Sequence, residues 1–148
     1  MPAIPVGARG SFVMAVGPEH LANRFKDATL PPVLATPVMI MMMENASLNA
    51  LKPYLDPGTT ALGTRVAIAH LAATPVGQQV TAAAEVTKVD GLRIEFRVTA
   101  HDDMDEIGIG THERTVIDLP RFLTRLDSKA HRWGTQQHDP TDGHDRSG

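Results

Sequence analysis

The chain has 148 residues, no cysteine, 21% charged residues and a formal net charge of -3. That length suits one domain with a core of its own, and the charge offers no basic field for nucleic acid or an anionic membrane. Without cysteine, covalent chemistry falls to a carboxylate, a hydroxyl or an imidazole. The longest strongly apolar run, residues 38–43, is far short of the roughly 20 residues that a bilayer-spanning helix needs. The first residues carry no positive region followed by a sustained apolar stretch. A soluble, cytoplasmic protein with no nucleic-acid or membrane partner is the expectation.

Residues 6–16 read as a first strand, interrupted by glycines and ended by Gly17-Pro18, and residues 18–26 begin a short helical turn. Pro31-Pro32 is a stop. Thr36 then has the composition of an N-cap and Pro37 that of a first helical position, predicting a helix over 37–51. On that helix Pro37, Met41, Glu44, Leu48 and Leu51 fall along one stripe, widened by Met42 and Met43. Pro53 and Asp56-Pro57-Gly58 end it.

Strands follow over 62–73 and 80–86, and Asp90-Gly91 reads as a two-residue hairpin turn. The next strand, 92–100, alternates with Leu92, Ile94, Phe96 and Val98 inward, and a last strand covers 107–119. Residues 1–126 form the predicted domain. Residues 127–148 are polar, with Trp133 their one large apolar side chain, and are expected to be a disordered tail. One buried helix among antiparallel strands predicts an α+β fold in which a curled sheet wraps the helix, the hotdog arrangement. Its open sheet edges are expected to pair in a dimer with sites between subunits.

Two residues do not fit an apolar interior. His70 shares a strand face with Val66 and Ile68, and Glu44 ends the run Met39 to Met43; each is costly to bury unless paired or used. Ordinary structural roles exist for every candidate: a satisfied core imidazole for His70, an ion pair with Arg65 or Arg114 at a dimer interface for Glu44, an N-cap for Thr36, strand entry for Gly63, a surface cation for Arg114. As a set they supply what thioester hydrolysis requires: a base or nucleophile, donors for the oxyanion and a cleft for an acyl chain. Thr36 and Glu44 are eight residues apart, roughly 12 Å along a helix. A site that uses both therefore combines two chains.

The cluster His101, Asp102, Asp103, Asp105 and Glu106 reads as a solvated turn rather than a metal loop, and His112 with Glu113 and Arg114 lacks a zinc spacing. No metal or other cofactor is assigned.

From Val6 to Phe122 the sequence closely resembles the fluoroacetyl-CoA thioesterase family. The resemblance rests on Ala35-Thr36 ahead of Met42-Met43-Glu44, on Pro53-Tyr54-Leu55-Asp56-Pro57-Gly58 and Leu62-Gly63-Thr64, on His70 and on Ala72-Ala73-Thr74-Pro75. It continues in Ala100-His101-Asp102, Asp105-Glu106-Ile107-Gly108 and Gly110-Thr111-His112-Glu113-Arg114. What it implies is a homodimeric hotdog acyl-CoA thioesterase without cofactor. Thr36, Glu44 and His70 match the family's catalytic residues, Gly63 a glycine whose N–H faces the substrate carbonyl, and Arg114 an arginine near the site. The fluoroacetate-specific member has a phenylalanine lid before the central helix, whereas residues 26–30 here contain no aromatic residue. A short acyl thioester without strict fluoroacetyl specificity is therefore the expectation, its acyl chain broader in range or different, with the methionine run as an adaptable lining. The competing readings are a hotdog enoyl-CoA hydratase, which also uses a carboxylate and a histidine, and a non-catalytic binding protein for acyl-CoA or a small ligand.

Overall fold

Strand alternation and one small-residue helix face decide how this chain closes. The computed structural model describes residues 3–137. In chain order it comprises β1 (Arg9–Ala15), a 3-10 turn (Pro18–His20), α1 (Ala22–Phe25), α2 (Thr36–Leu51) and a second 3-10 turn (Lys52–Tyr54). Then come β2 (Thr59–His70), β3 (Gln79–Asp90), β4 (Arg93–His101), β5 (Glu106–Asp118) and α3 (Leu119–Gln137). The strands form one antiparallel sheet in the order β1-β3-β4-β5-β2, with β1 and β2 at its edges.

Period-2 alternation puts Val80, Ala82, Ala84 and Val86 of β3, and Ile94, Phe96, Val98 and Ala100 of β4, into the core. The β3–β4 turn lies one position later than the sequence suggests. Asp90 pairs with Arg93, so Gly91 and Leu92 occupy the turn, with Gly91 in the left-handed region at φ 61°. Leu92 is accordingly exposed rather than inward.

Helix α2 is rotated from its expected orientation. Its buried face carries Val38, Met39, Met42, Met43, Ala46, Ala50 and Leu51, while Pro37 and Met41 are exposed and Glu44 and Leu48 only half-buried. The reason is close approach. A Cβ built on Gly10 of β1 would collide with the carbonyl of Ala46 and the backbone N of Ala50, so the helix rests its small residues directly on that strand. Met39, Met42 and Met43 are completely buried core residues, not the lining of a cleft. Burying each contributes about 1.5–3 kcal/mol.

Because α2 lies mainly across β1 and β3, the inner face of β2 is poorly covered. Val66, which pairs with the inward His112, is 45% exposed.

The expected tail is helical at its start. α3 runs through Gln137, because Leu119, Phe122, Leu123, Leu126, Ala130 and Trp133 recur at helical spacing within a polar composition. The remainder of the expected tail, 138–148, lies outside the described residues. Among the described residues no helix is long and apolar enough to cross a membrane.

Gly10→Ala is expected to destabilise the fold by about 1–3 kcal/mol through overpacking against helix backbone. Urea unfolding measures this, and an unchanged midpoint would refute the close approach of α2 to β1.

Candidate active site

The five residues singled out in the sequence form two groups within one chain. Thr36 is the first residue of α2, whose N-cap is Ala35 without a side-chain cap. Its hydroxyl therefore does not cap the helix. It shares a 2.7 Å hydrogen bond with Nδ1 of His70, the last residue of β2. The opposite ring atom, His70 Nε2, is buried with no hydrogen-bond partner among the described residues. Burial lowers the His70 pKa from its ordinary 6.5, partly opposed by the neighbouring Ala72 backbone. A cavity of about 460 Å³ adjoins this pair, with Leu30, Val33, Leu34 and Ala72 among its lining residues.

The second group gathers where β2 and β5 meet the open flank of α2. Glu44 Oε2 lies 3.7 Å from Arg114 Nη1, so the ion pair considered for Glu44 exists within one chain. A Cβ on Gly63 would lie 2.7 Å from Glu44 Oε2. Gly63 has no positive φ among the described glycines, so here glycine serves space rather than backbone conformation: the carboxylate rests where a side chain would begin. Arg114 is not a surface cation. It is 8% exposed, and its Nε and Nη2 donate to the Ala61 carbonyl at 3.2 and 2.7 Å.

Strict alternation from Gly63 to His70 would put the two on opposite faces. The register of β2 against β5 shifts between Gly63 and Arg65, so Thr64 is an extra residue in a β-bulge. Before it Gly63 points to Glu44; after it Val66, Ile68 and His70 point to the same inner face. Thr64 Oγ1 donates to Glu113 Oε2 at 2.7 Å and holds the bulge.

Sequence reasoning gave His112 no part in the site. It is 3% exposed, with Nδ1 2.7 Å from the Arg65 carbonyl and Nε2 3.2 Å from Arg114 Nη1. Its i, i+2 spacing to Arg114 on one strand face was the available signal. Burial lowers the His112 pKa from 6.5, the Arg65 carbonyl opposes this, and the Arg114 charge adds to it.

The acidic turn is built as the sequence suggests. Asp102 Oδ1 accepts from the N–H groups of Met104 and Asp105, and its Oδ2 from the Thr74 hydroxyl. Among the described residues no three His, Asp or Glu side chains are grouped to hold a metal ion.

The model of a family described as fluoroacetyl-CoA-specific thioesterase matches residues 16–119. The fluoroacetyl-CoA thioesterase of Streptantibioticus cattleyicolor is 49% identical over 102 residues, 69% of this chain and 73% of that protein. The chain belongs to the fluoroacetyl-CoA-specific thioesterase family. A solved structure of the fluoroacetyl-CoA thioesterase FlK superposes with a TM-score of 0.81 at 42% identity, covering 86% of this chain and 98% of that one. A Thermus thermophilus member of the thioesterase superfamily gives 0.85 at 31% identity, covering 91% and 99%. A hot-dog-like protein from Thermanaerovibrio acidaminovorans, at 24% identity, covers 85% of this chain and 93% of its own with a TM-score of 0.77, and shows the fold. Membership in the family thus places the chain among hotdog thioesterases, as the sequence motifs implied.

Both rings carry a pH consequence. Each has a folded pKa below its ordinary 6.5, so the unfolded chain takes up protons first as pH falls. Their share of stability is complete above pH 6.5 and is lost as pH drops through the folded values. The urea midpoint is expected to decline between pH 7 and pH 5, and His70→Asn to reduce that decline. A profile identical in the variant would contradict the lowered His70 pKa.

Proposed function

We propose that the chain hydrolyses a short acyl-CoA to the free acid and CoA, at a site shared by two copies in a homodimer. The observation that carries the reading is the division of the candidate residues into two incomplete halves. Thr36 and His70 stand at one end of α2 and β2, and Glu44 and Gly63 stand further along the same elements, beside Arg114 of β5. Roughly 12 Å of rigid helix separates Thr36 from Glu44.

Edge strand β2 offers the means of joining them. Antiparallel pairing of two β2 strands about an axis at Ala67 sets His70 of one copy opposite Gly63 of the other, with both on the inner face. The same pairing covers the exposed edge and the inner apolar face of β2. Supporting this reading, solved FlK variants are complexes with acetyl-CoA, and with fluoroacetate and CoA.

At such a site the Gly63 N–H faces the thioester carbonyl and stabilises the oxyanion. Glu44 supplies the basic oxygen, by attack on the carbonyl carbon or by taking a proton from the attacking water. The acyl C–S bond breaks in both routes. Thr36 occupies His70 Nδ1, so Nε2 is the ring atom that delivers a proton to the departing thiolate. The cavity beside His70, which Leu30, Val33 and Leu34 line together with Lys26, receives the acyl group, and no phenylalanine, tyrosine or tryptophan lines it. That favours an acyl group recognised by size rather than by a phenylalanine lid.

Thiol release from a panel of acyl-CoAs tests the chemistry. Activity is expected to fall by about 100-fold or more in both Glu44→Ala and His70→Ala, the scale of lost acid–base catalysis. Binding without thiol release would instead make the protein a carrier, and loss of enoyl absorbance without thiol would make it a hydratase. Mixing tests the shared site. Thr36→Ala and Glu44→Ala homodimers are each expected to be inactive, while subunit exchange restores activity by forming one intact site per mixed dimer. No recovery on exchange would place both residues in one subunit's site.

A further inference from the structure

His112 is buried, ionisable and unused by the chemistry above. Its ring lies against that of Phe96, with centroids 5.9 Å apart and planes at 27°. Its two nitrogens have partners of opposite kind. The Arg65 carbonyl can only accept, so Nδ1 carries the proton; Arg114 can only donate, so Nε2 offers its lone pair. The neutral Nδ1–H tautomer alone satisfies both, and an imidazolium would aim an N–H at the guanidinium.

Arg114 is thereby fixed at three nitrogens. Nε and Nη2 donate to the Ala61 carbonyl and Nη1 to His112, leaving Nη1 3.7 Å from Glu44 Oε2, beyond hydrogen-bond reach. We infer that neutral His112 is a positioning residue that keeps Arg114 at a fixed stand-off from Glu44, so that the carboxylate has a cation beside it yet retains its lone pairs for reaction. This rests on the role proposed for Glu44. Without the ring's lone pair, Nη1 turns toward Glu44 and forms a direct charge-assisted bond that makes the carboxylate a poorer base or nucleophile.

The same geometry makes the stand-off sensitive to acid. The groups facing His112 are Arg114 and Glu113 of β5 and Glu44 of α2, with the Arg65 carbonyl of β2 at the ring and Glu95 of β4 lining the same opening. Protonation of His112 removes the lone pair that holds Arg114 Nη1 and releases that nitrogen from the ring.

Two substitutions in the full chain separate positioning from packing. His112→Phe keeps a ring against Phe96 but has no lone pair, whereas His112→Gln keeps an acceptor for Arg114 and does not titrate. His112→Phe is expected to lower kcat by about 10–100-fold, the scale of a small misplacement of a reacting group, with KM nearly unchanged. His112→Gln should retain most of kcat, and its log kcat/KM should fall on the acid side with a slope one unit shallower than wild type. Wild-type kcat in His112→Phe, or an unchanged acid slope in His112→Gln, overturns the inference.

Nitrogen-15 NMR of the wild-type ring provides a readout independent of turnover. Nδ1 is expected to be protonated and Nε2 bare as pH falls past about 6.5, where a free histidine titrates. An Nε2–H tautomer, or titration at or above that pH, overturns the inference even if the enzyme is active. Absence of thiol release from every acyl-CoA would defeat the thioesterase reading, and the NMR result alone would then decide the placement of Arg114.

Discussion

One extra residue in an edge strand organises the candidate site. A regular β2 would turn Gly63 and His70 to opposite sides of the sheet, because they are an odd number of positions apart. The bulge at Thr64 changes that parity and brings both to the inner face. It also presents the Arg65 carbonyl to the ring of His112. The bond from Thr64 to Glu113 ties this irregularity to β5, so the bulge is fixed by side-chain chemistry on the outer face while its effects appear on the inner one.

The buried guanidinium is the second element of the design. A charge removed from water needs both a counter-charge and hydrogen-bond partners. Arg114 has a carboxylate near it, but its bonds go to a backbone carbonyl and an imidazole. Burial lowers its pKa and Glu44 raises it, and an arginine in this setting remains charged. The carboxylate thus gains electrostatic support without being consumed by a bidentate ion pair, an arrangement that suits the reactive role proposed for Glu44.

The sequence showed the sheet, the helix and the odd polar residues, because period-2 alternation and misplaced charges are local signals. Glu44 and His70 stood out as misplaced polar residues, the resemblance to a known family added Thr36, Gly63 and Arg114, and the eight-residue separation on α2 already argued against one compact site in one chain. Other features depend on tertiary contact and left no such mark. The rotation of α2 depends on Gly10 meeting Ala46 and Ala50, whereas the methionines looked equally apolar all round. His112 gained its place through a carbonyl that only the bulge makes available. The first part of the expected tail is helical because its apolar residues are correctly spaced, though too few to register against its polar composition.

The seating of α2 on Gly10 also bears on how the molecule holds itself together. A helix centred on the sheet would cover β2 more fully than this one does. Drawn toward β1 by glycine and alanine, it covers one side of the concavity well and leaves the β2 side wet. A chain built in this way is stabilised by whatever covers that face, in proportion to the logarithm of its concentration. Under the proposed pairing of two β2 strands, folding strength becomes a property of the solution as well as of the sequence, and Gly10, through the seating of α2, helps to set how strongly the two are linked.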